Sequence, residues 1–351
     1  KTMILILILF IFIFISNVHS QNFLTKFIGD VTLPKPLNPV EGSLGLLGGH
    51  MSSDVASKKD ISIYQLLFQN AAFGHVLVLT ADSKCSNSDW FSYNEFFFNV
   101  VGNNSTVGKQ PLSVRSVCFL NDDAANDELV VSAATNASLV FATGGDQSRY
   151  YHYWRGSKMA SVISKRVASN QLVFAGSSAG LAIQSQFIFS ALNGGISSQT
   201  ALDHPLRPDI ARSPFQFPCL NNNLIVDTHF YQRDRMGRLV VFVSRVFNLT
   251  RDETSHGIGV SEHTALVVST RNCVGTAMGV GPIDAITYNS RVRAPNFDDR
   301  LYAGPLNATH IDIGANFDLK KFHLMQPSTG HTFELAVNDG DLISRNNNGQ
   351  L

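Results

Sequence analysis

Residues 171–184 read QLVFAGSSAGLAIQ, and this stretch indicates the fold. Residues 171–175 form a short apolar run of the kind that makes a buried strand, and residues 181–184 have the composition of a first helical turn. Between them, residues 176–180 match the pattern G-x-S-x-G, in which a sharp strand-to-helix turn lifts a serine hydroxyl above a sheet. Ser178 is therefore the candidate nucleophile.

The chain before this stretch alternates apolar strands with helix-like segments. Strands are predicted at residues 43–47, 75–80, 114–120, 139–143 and 171–175, and helices at 61–72, 90–101, 128–134 and 155–169. Strands that are nearly all apolar and alternate with helices indicate a parallel sheet covered on both faces. The predicted fold class is α/β, a three-layer, doubly wound, mostly parallel sheet with helices on both faces. Ligands in such folds bind beyond the carboxyl ends of the strands.

The second half of the chain has a different character. Residues 185–220 contain many Gly and Pro residues and are predicted to be a long irregular segment. From residue 238 onward, strands are expected at 239–243, 265–269 and 276–280. The expected organisation is a signal peptide (1–20), a lead-in (21–41), a single domain (42–330) and a C-terminal tail (331–351).

The N-terminal residues resemble a secretory signal. Residues 3–15 (MILILILFIFIFI) are wholly apolar, but a membrane-spanning helix needs about 20 such residues. Small residues at 18–20 suit cleavage by signal peptidase, so the mature chain is expected to start near Gln21. This predicts a secreted chain, extracellular or lumenal, with no stable membrane span after cleavage. An uncleaved anchor is the alternative.

Sequons and cysteines agree with secretion. N-x-S/T patterns predict glycosylation at Asn103, Asn104, Asn136, Asn248 and Asn307. Four cysteines permit two disulfides in an oxidising compartment. Cys85 follows one predicted strand and Cys118 lies in the next, and consecutive strands are often neighbours, so these two are expected to pair. Elimination then pairs Cys219 with Cys273, and buried free thiols are the alternative.

Composition argues against several classes of protein. Lys and Arg together number 27, as do Asp and Glu, so the formal net charge is zero and nothing favours nucleic acid as a partner. No CxxC motif or cluster of histidine and cysteine suggests a metal, and no cofactor is expected. With 351 residues, the chain can build one large core.

A nucleophilic serine needs a base, and the base needs an orienting acid. His229 follows a short apolar strand in LIVDTHFYQRDRMGR (224–238), and Glu262 lies beside an apolar strand in GIGVSEHTALVV (257–268). These positions make His229 a candidate base and Glu262 a candidate acid. On the residues alone, other downstream histidines also remain candidates.

Four blocks of the sequence resemble the cyanophycinase and aspartyl dipeptidase family of serine peptidases. In order they are FATGGDQ (141–147), GSSAG (176–180), DTHFYQRDRMGR (227–238) and GIGVSEHTALVV (257–268). A weaker fifth block is THIDIGANFDL (309–319), and the resemblance extends over residues 42–320.

The resemblance implies a role for individual positions. It places a Ser-His-Glu triad on Ser178, His229 and Glu262, and oxyanion-binding amides at Gly145 and Ala179. It also implies a homodimer and a peptide or polyamide substrate with aspartyl and arginyl groups, cleaved at β-aspartyl-arginine bonds. The substrate-binding positions of the family fall on Gln147, Asp227, Thr228, Arg233, Arg235 and Arg238.

Some positions depart from the family pattern, and two other functions stay open. Thr228 stands where the family usually has Gln, and Ser261 and His263 replace carboxylates. One alternative is a secreted esterase or lipase of the α/β-hydrolase type, whose base would be a late histidine such as His310 or His331. The other is a catalytically idle binding protein on the same scaffold.

Overall fold

The computed structural model describes residues 18–19, 22–34, 41–50, 58–81, 85, 88–101, 109–289, 294–297 and 299–345. Within these residues the chain forms two β-sheets and a set of helices. The predicted α/β class is confirmed. The structure departs from the expected single sheet because the C-terminal half adds a second one.

The first sheet contains strands from both halves of the chain. Its strands are β1 Val18–His19, β2 Phe23–Gly29, β3 Ser43–Leu47, β4 His75–Thr80, β5 Ser113–Phe119, β6 Leu139–Ala142, β7 Val173–Ser177, β12 Thr264–Ser269, β13 Val274–Gly279, β16 Asn316–Asp318 and β17 His323–Leu324. Their order is β1-β2-β5-β4-β6-β7-β3-β12-β13-β16-β17. The five strands from β5 to β3 are parallel, as predicted, whereas the outer pairs are antiparallel.

Of the α-helices in the described residues, the first six lie on the two sides of this parallel centre, and the last two pack in the apolar cluster of the second sheet. The α-helices are α1 Lys58–Asn70, α2 Ser92–Glu95, α3 Glu128–Asn136, α4 Gln147–Trp154, α5 Lys158–Ala168, α6 Ala179–Ala182, α7 Ser198–Asp203 and α8 Met236–Thr250. Successive side chains of a strand point to opposite faces. Leu77 of β4 accordingly packs in one apolar cluster with Ile163 of α5, and Val78 packs in another with Leu67 of α1.

The second sheet is formed mainly by the C-terminal part of the chain. Its strands are β8 Phe187–Phe189, β9 Ile210–Arg212, β10 Leu224–Asp227, β11 Thr254–Val260, β14 Ile283–Asn289, β15 Ala303–Ile311, β18 Gly330–Asn338 and β19 Asp341–Arg345. The order is β19-β18-β15-β14-β11-β10-β8-β9, and β8, β10 and β11 run parallel. Helix α8 packs against this sheet.

Four segments differ from the sequence-based expectation, and the first, residues 185–220, contains β8, α7 and β9 where an irregular segment was expected. Residues 239–243 (LVVFV), predicted as a strand, form the middle of α8, where all five side chains are buried. A short apolar, β-branched run looks alike in a buried strand and in a helix buried on all sides, so periodicity did not separate them. The expected tail is strand as far as residue 345. Its polar composition is typical of strands in a sheet with one face exposed to solvent. The lead-in supplies β2, which pairs with β5.

Both predicted disulfides are confirmed. Cys85 and Cys118 are linked with their Cα atoms 5.8 Å apart, which ties the segment after β4 to β5. Cys219 and Cys273 are linked with their Cα atoms 5.2 Å apart. The second bond joins the short 3₁₀ turn Pro218–Leu220 to the start of β13.

Several other expectations concern the chain ends and the surface. The apolar run at 3–15, the expected cleavage site near Gln21, and Asn103 and Asn104 all lie outside the described residues. Asn136, Asn248 and Asn307 are exposed to solvent. Among the helices in the described ranges, none combines the length and the apolar character needed to cross a membrane.

Candidate active site

Ser178 lies at the turn between β7 and α6, at the carboxyl edge of the parallel strands. Its backbone has φ 54° and ψ −115°, an uncommon conformation for a residue with a side chain. The Ser178 amide donates to the Leu47 carbonyl at 3.1 Å, which fixes the turn to the end of β3. Gly180 has no room for a side chain, because a Cβ there would overlap the Ala142 backbone. The small residues of the motif therefore permit the tight turn that presents the serine.

His229 and Glu262 reach this serine from two other strand ends. His229 follows β10, and Glu262 lies in the turn between β11 and β12. Ser178 Oγ lies 2.7 Å from His229 Nε2, and His229 Nδ1 lies 2.6 Å from Glu262 Oε1. The structure thus brings the three predicted residues into one hydrogen-bonded chain, with the geometry of a nucleophile, a base and an orienting acid.

The loop after β3 supports the histidine. The His229 amide donates to the Gly48 carbonyl at 2.7 Å. Gly49 has φ 129°, and a Cβ at this position would overlap the imidazole ring of His229. The Gly48–Gly49 pair therefore lets the backbone approach the ring closely, and it fixes the ring against Ser178.

Burial controls the charge of the histidine. Loss of solvent contact lowers the pKa of His229 to about 4, because the charged form of the ring is poorly solvated there. The hydrogen bond that His229 donates to Glu262 opposes this shift, while the positive charges of Arg233 and Arg235 add to it. At neutral pH the ring is uncharged. With its Nδ1 proton held by Glu262, it presents the lone pair of Nε2 to the serine hydroxyl.

Gly145 and Ala179, the predicted oxyanion donors, flank the serine. Gly145 follows β6 in the loop that starts at Gly144, and a Cβ on Gly144 would lie 3.4 Å from Ser178 Cβ. Ala179 is the first residue of α6. Amides at the N-terminus of a helix point outward and favour negative charge. Gly145 and Ala179 therefore lie in segments next to Ser178, and their amides remain the predicted oxyanion donors.

The predicted substrate-binding residues divide into a buried pair and a more accessible group. Arg238 Nε donates to Asp227 Oδ2 at 2.7 Å and its Nη2 donates to Oδ1 at 2.5 Å, with both side chains almost fully buried. Arg238 also donates to the Ile196 carbonyl at 3.0 Å. These contacts occupy the guanidinium and the carboxylate and give the pair a structural role, while direct substrate contact by Asp227 and Arg238 stays a prediction.

Thr228 is likewise buried and bound within the protein. It is 4% exposed, and its hydroxyl accepts from Arg235 Nη1 at 2.9 Å. Arg235 keeps 14% of its side chain exposed and lies 3.5 Å from Asp227. Arg233 is exposed. Gln147, in the first turn of α4, donates to the Phe189 carbonyl at 2.8 Å. Arg233 and Arg235 are therefore the two arginines that a substrate can reach.

The buried pair leads to a prediction about stability. Asp227→Asn removes the charge that compensates Arg238, and breaking a buried ion pair from one side costs about 3–5 kcal/mol. We expect the free energy of unfolding in urea to fall by this amount. Glu253→Gln, in the exposed turn after α8, serves as the control and should change it little. An Asp227→Asn protein as stable as the control would contradict the structural role of the pair.

Sequence reasoning missed a second histidine that contacts the triad glutamate. His50 Nε2 lies 3.3 Å from Glu262 Oε1, and the rings of His50 and His229 meet edge to face at 5.5 Å. Next to them, His263 Nδ1 lies 3.1 Å from the buried carboxylate of Asp60. The only available signal was the Gly-Gly-His sequence after β3, at the same sheet edge.

The late histidines have other contacts. The rings of His310 and His331 stack with centroids 4.9 Å apart, and His310 Nδ1 lies 2.9 Å from Asp284 Oδ1. The hydrogen bond to Asp284, helped by the negative charge of that carboxylate, raises the pKa of His310. The hydroxyl of Ser178 is instead hydrogen-bonded to His229. This arrangement disfavours the α/β-hydrolase alternative, which requires a late histidine at the serine.

Solved structures show limited similarity to the chain. A peptidase from an acI-B1 Actinobacterium has a TM-score of 0.46 and 16% identity, covering 70% of this chain and 90% of that one. A putative peptidase E protein from Listeria monocytogenes has a TM-score of 0.39 and 12% identity, covering 68% of this chain and 98% of that one.

Sequence comparison is more specific. Cyanophycinases from Trichormus variabilis and Nostoc sp. are each 34% identical over 152 residues, which is 41% of this chain and 45% of theirs. The cyanophycinase of Geminocystis herdmanii is 30% identical over 130 residues, 37% of this chain and 42% of its own. The matched region spans less than half the length of these curated relatives.

A family match covers the centre of the chain. Residues 103–273 match the model of peptidase family S51. This range contains Ser178, His229 and Glu262, together with all four sequence blocks in full. With the cyanophycinase matches, it confirms the resemblance seen in the motifs: the central part of this chain is similar to peptidase family S51.

Proposed function

We propose that this chain is a serine peptidase of the cyanophycinase type. One observation carries the proposal: Ser178, His229 and Glu262 are linked by hydrogen bonds of 2.7 and 2.6 Å at the edge of the parallel strands. A buried, uncharged histidine between a serine and a carboxylate is the arrangement that general-base activation of a hydroxyl requires. The S51 family match supports the same conclusion.

The chemistry follows from these contacts. His229 Nε2 takes the proton of Ser178 Oγ as the oxygen forms a bond to the scissile carbonyl carbon. The amides of Gly145 and Ala179 donate to the resulting oxyanion. The histidine then passes its proton to the leaving amine, the carbon–nitrogen bond breaks, and an acyl-enzyme remains. Water, activated by the same histidine, releases the acid product and restores the serine.

The two accessible arginines support an aspartyl-type substrate. Arg233 and Arg235 are close enough to His229 to lower its pKa. Burial lowers the pKa of Arg235 to about 10, so its guanidinium stays charged at neutral pH. A guanidinium can hold a carboxylate through two parallel hydrogen bonds. We infer that a carboxylate of a β-aspartyl-arginine unit binds here, as the names of the curated relatives suggest.

The substrate class can be tested directly. The purified chain is incubated with multi-L-arginyl-poly-L-aspartate, with α- and β-aspartyl peptides, and with simple esters, and products are identified by mass spectrometry. We expect β-aspartyl-arginine products. Turnover of esters alone would replace the peptidase by the esterase alternative, and no turnover of any compound would favour an idle binding protein.

Features outside the site support the proposed location. The apolar N-terminal run, the sequons and the two disulfides are typical of a secreted, extracellular or lumenal glycoprotein. We propose that the chain works there, as a homodimer if it follows the family. Treating the secreted protein with a glycosidase and measuring the mass shift tests the sequons.

The low pKa of His229 predicts the acidic limb of the pH profile. The base must be uncharged, and its pKa lies below the usual 6.5 at about 4, so kcat/KM should stay level from neutral pH into the acidic range. It should fall only as the pH approaches 4. Arg233→Ala removes a charge that lowers this pKa and should move the limb upward.

The profile is measured as kcat/KM against pH with a β-aspartyl-arginine peptide. Protein held at each pH and assayed at neutral pH controls for unfolding. A wild-type limb centred at 6.5 or above would contradict the buried, uncharged base.

A further inference from the structure

His50 and two members of the proposed triad, His229 and Glu262, converge on one point. One ligand atom each of His50, His229 and Glu262 lies within 4.8 Å of the other two. His50 Nε2 is 3.3 Å from Glu262 Oε1, and His229 Nδ1 approaches the same carboxylate at 2.6 Å. His50 belongs to the loop after β3, whereas the other two follow β10 and β11. Three separate segments therefore supply the cluster.

The cluster has the composition of a zinc site, and one of its separations already fits the ion. Two imidazoles and one glutamate, with a water at an open fourth position, form a common ligand set for Zn²⁺. With zinc–ligand bonds of about 2.0–2.1 Å, two ligands of a tetrahedral ion lie roughly 3.3 Å apart. The separation of His50 and Glu262 already has this value. The His50 side chain is 52% exposed, so it can adjust towards His229 and admit an ion from solvent.

We propose that His50, His229 and Glu262 bind Zn²⁺ or a similar transition-metal ion, and that this ion switches the peptidase off. The binding site stands on geometry alone. The inhibition rests on the proposed function, because it requires His229 to be the catalytic base.

Inhibition follows from where the histidine keeps its proton. In the metal-free site, Nδ1 carries the proton that Glu262 accepts, and Nε2 faces Ser178 with a lone pair. A metal ion takes the lone pair of Nδ1, so the neutral ring must carry its single proton on Nε2. The proton moves from one nitrogen to the other through solvent, and no net proton is lost. Nε2 can then no longer accept the proton of Ser178.

Binding is tested by titrating Zn²⁺ into chelator-treated Ser178→Ala protein in a calorimeter. Ser178 is not a ligand, so this inactive protein should bind one ion at the site. Adding His50→Ala removes a ligand and should weaken binding at least about tenfold, since losing even a second-shell partner costs roughly 10–100-fold. His152→Ala, at an exposed histidine of α4, is the matched control and should not change the affinity.

Two calorimetric results would overturn the site: no Zn²⁺ binding, or equal affinity with and without His50. The regulatory half is tested by activity. Zn²⁺ should inhibit the active enzyme, a chelator should restore it, and His50→Ala should raise the inhibitory concentration at least about tenfold relative to its own uninhibited rate. Zinc that binds without inhibiting would overturn the switch. If no substrate is hydrolysed at all, the proposed function fails, and calorimetry still decides the metal site.

Discussion

Replacing Ser178 with alanine is expected to lower kcat by on the order of 10⁴–10⁶-fold, the usual cost of losing a triad member. The change removes one oxygen, the atom that lies 2.7 Å from His229 Nε2. No other part of the turn needs that atom, because the turn is fixed by the Ser178 amide and by Gly180. The protein should therefore fold and melt like the wild type while losing hydrolysis.

Ser177→Ala is the matched control for this experiment. It removes the same oxygen one residue earlier, from the buried end of β7, and should keep most of the activity. Initial rates are compared on a β-aspartyl-arginine peptide at saturating substrate. A Ser178→Ala protein with a tenth or more of the wild-type rate would exclude Ser178 as the nucleophile.

Glu262→Gln is expected to lower kcat about 10⁴-fold with little change in shape, as in other triads where the acid becomes an amide. Glu262 Oε1 accepts the Nδ1 proton of His229 at 2.6 Å. A glutamine can donate to Nδ1 instead, which favours the tautomer that carries its proton on Nε2. The ring then cannot accept the proton of Ser178.

The effect of Glu262→Gln should appear in kcat rather than in KM, because the substituted atom does not contact the substrate. Glu334→Gln, at an exposed position of β18, controls for the loss of a negative charge. If Glu262→Gln stays within tenfold of the wild-type kcat, another group orients the histidine, and the role of Glu262 is wrong.

Much of the centre of the fold could be predicted because its apolar runs are compatible with only one kind of element, a buried strand. Strands such as β4 and β7 are buried along their whole length, so their apolar runs are unambiguous. Ser178, His229 and Glu262 each follow a predicted strand or lie beside one. Since the carboxyl ends of parallel strands share one edge, the proximity of these three residues could be predicted from the sequence.

Other features could not be predicted because their sequence patterns have two meanings. The run at 239–243 suits a strand and a buried helix equally, and only packing against the second sheet decides for α8. An arginine near an aspartate can bind a substrate or the aspartate itself, and burial of Asp227 with Arg238 decides for the latter. His50 lies far from the other motifs in sequence, and only the loop after β3 brings it to Glu262.

The most direct test of Ser178 as a catalytic nucleophile is covalent labelling with a fluorophosphonate probe. The probe reacts with a serine whose hydroxyl is activated by a neighbouring base. The purified protein is labelled, digested and mapped by tandem mass spectrometry, with Ser178→Ala treated in parallel. We predict a single adduct on Ser178 in the wild type and none in the variant. An unlabelled wild-type protein, or an adduct on a different residue, would contradict the proposed peptidase.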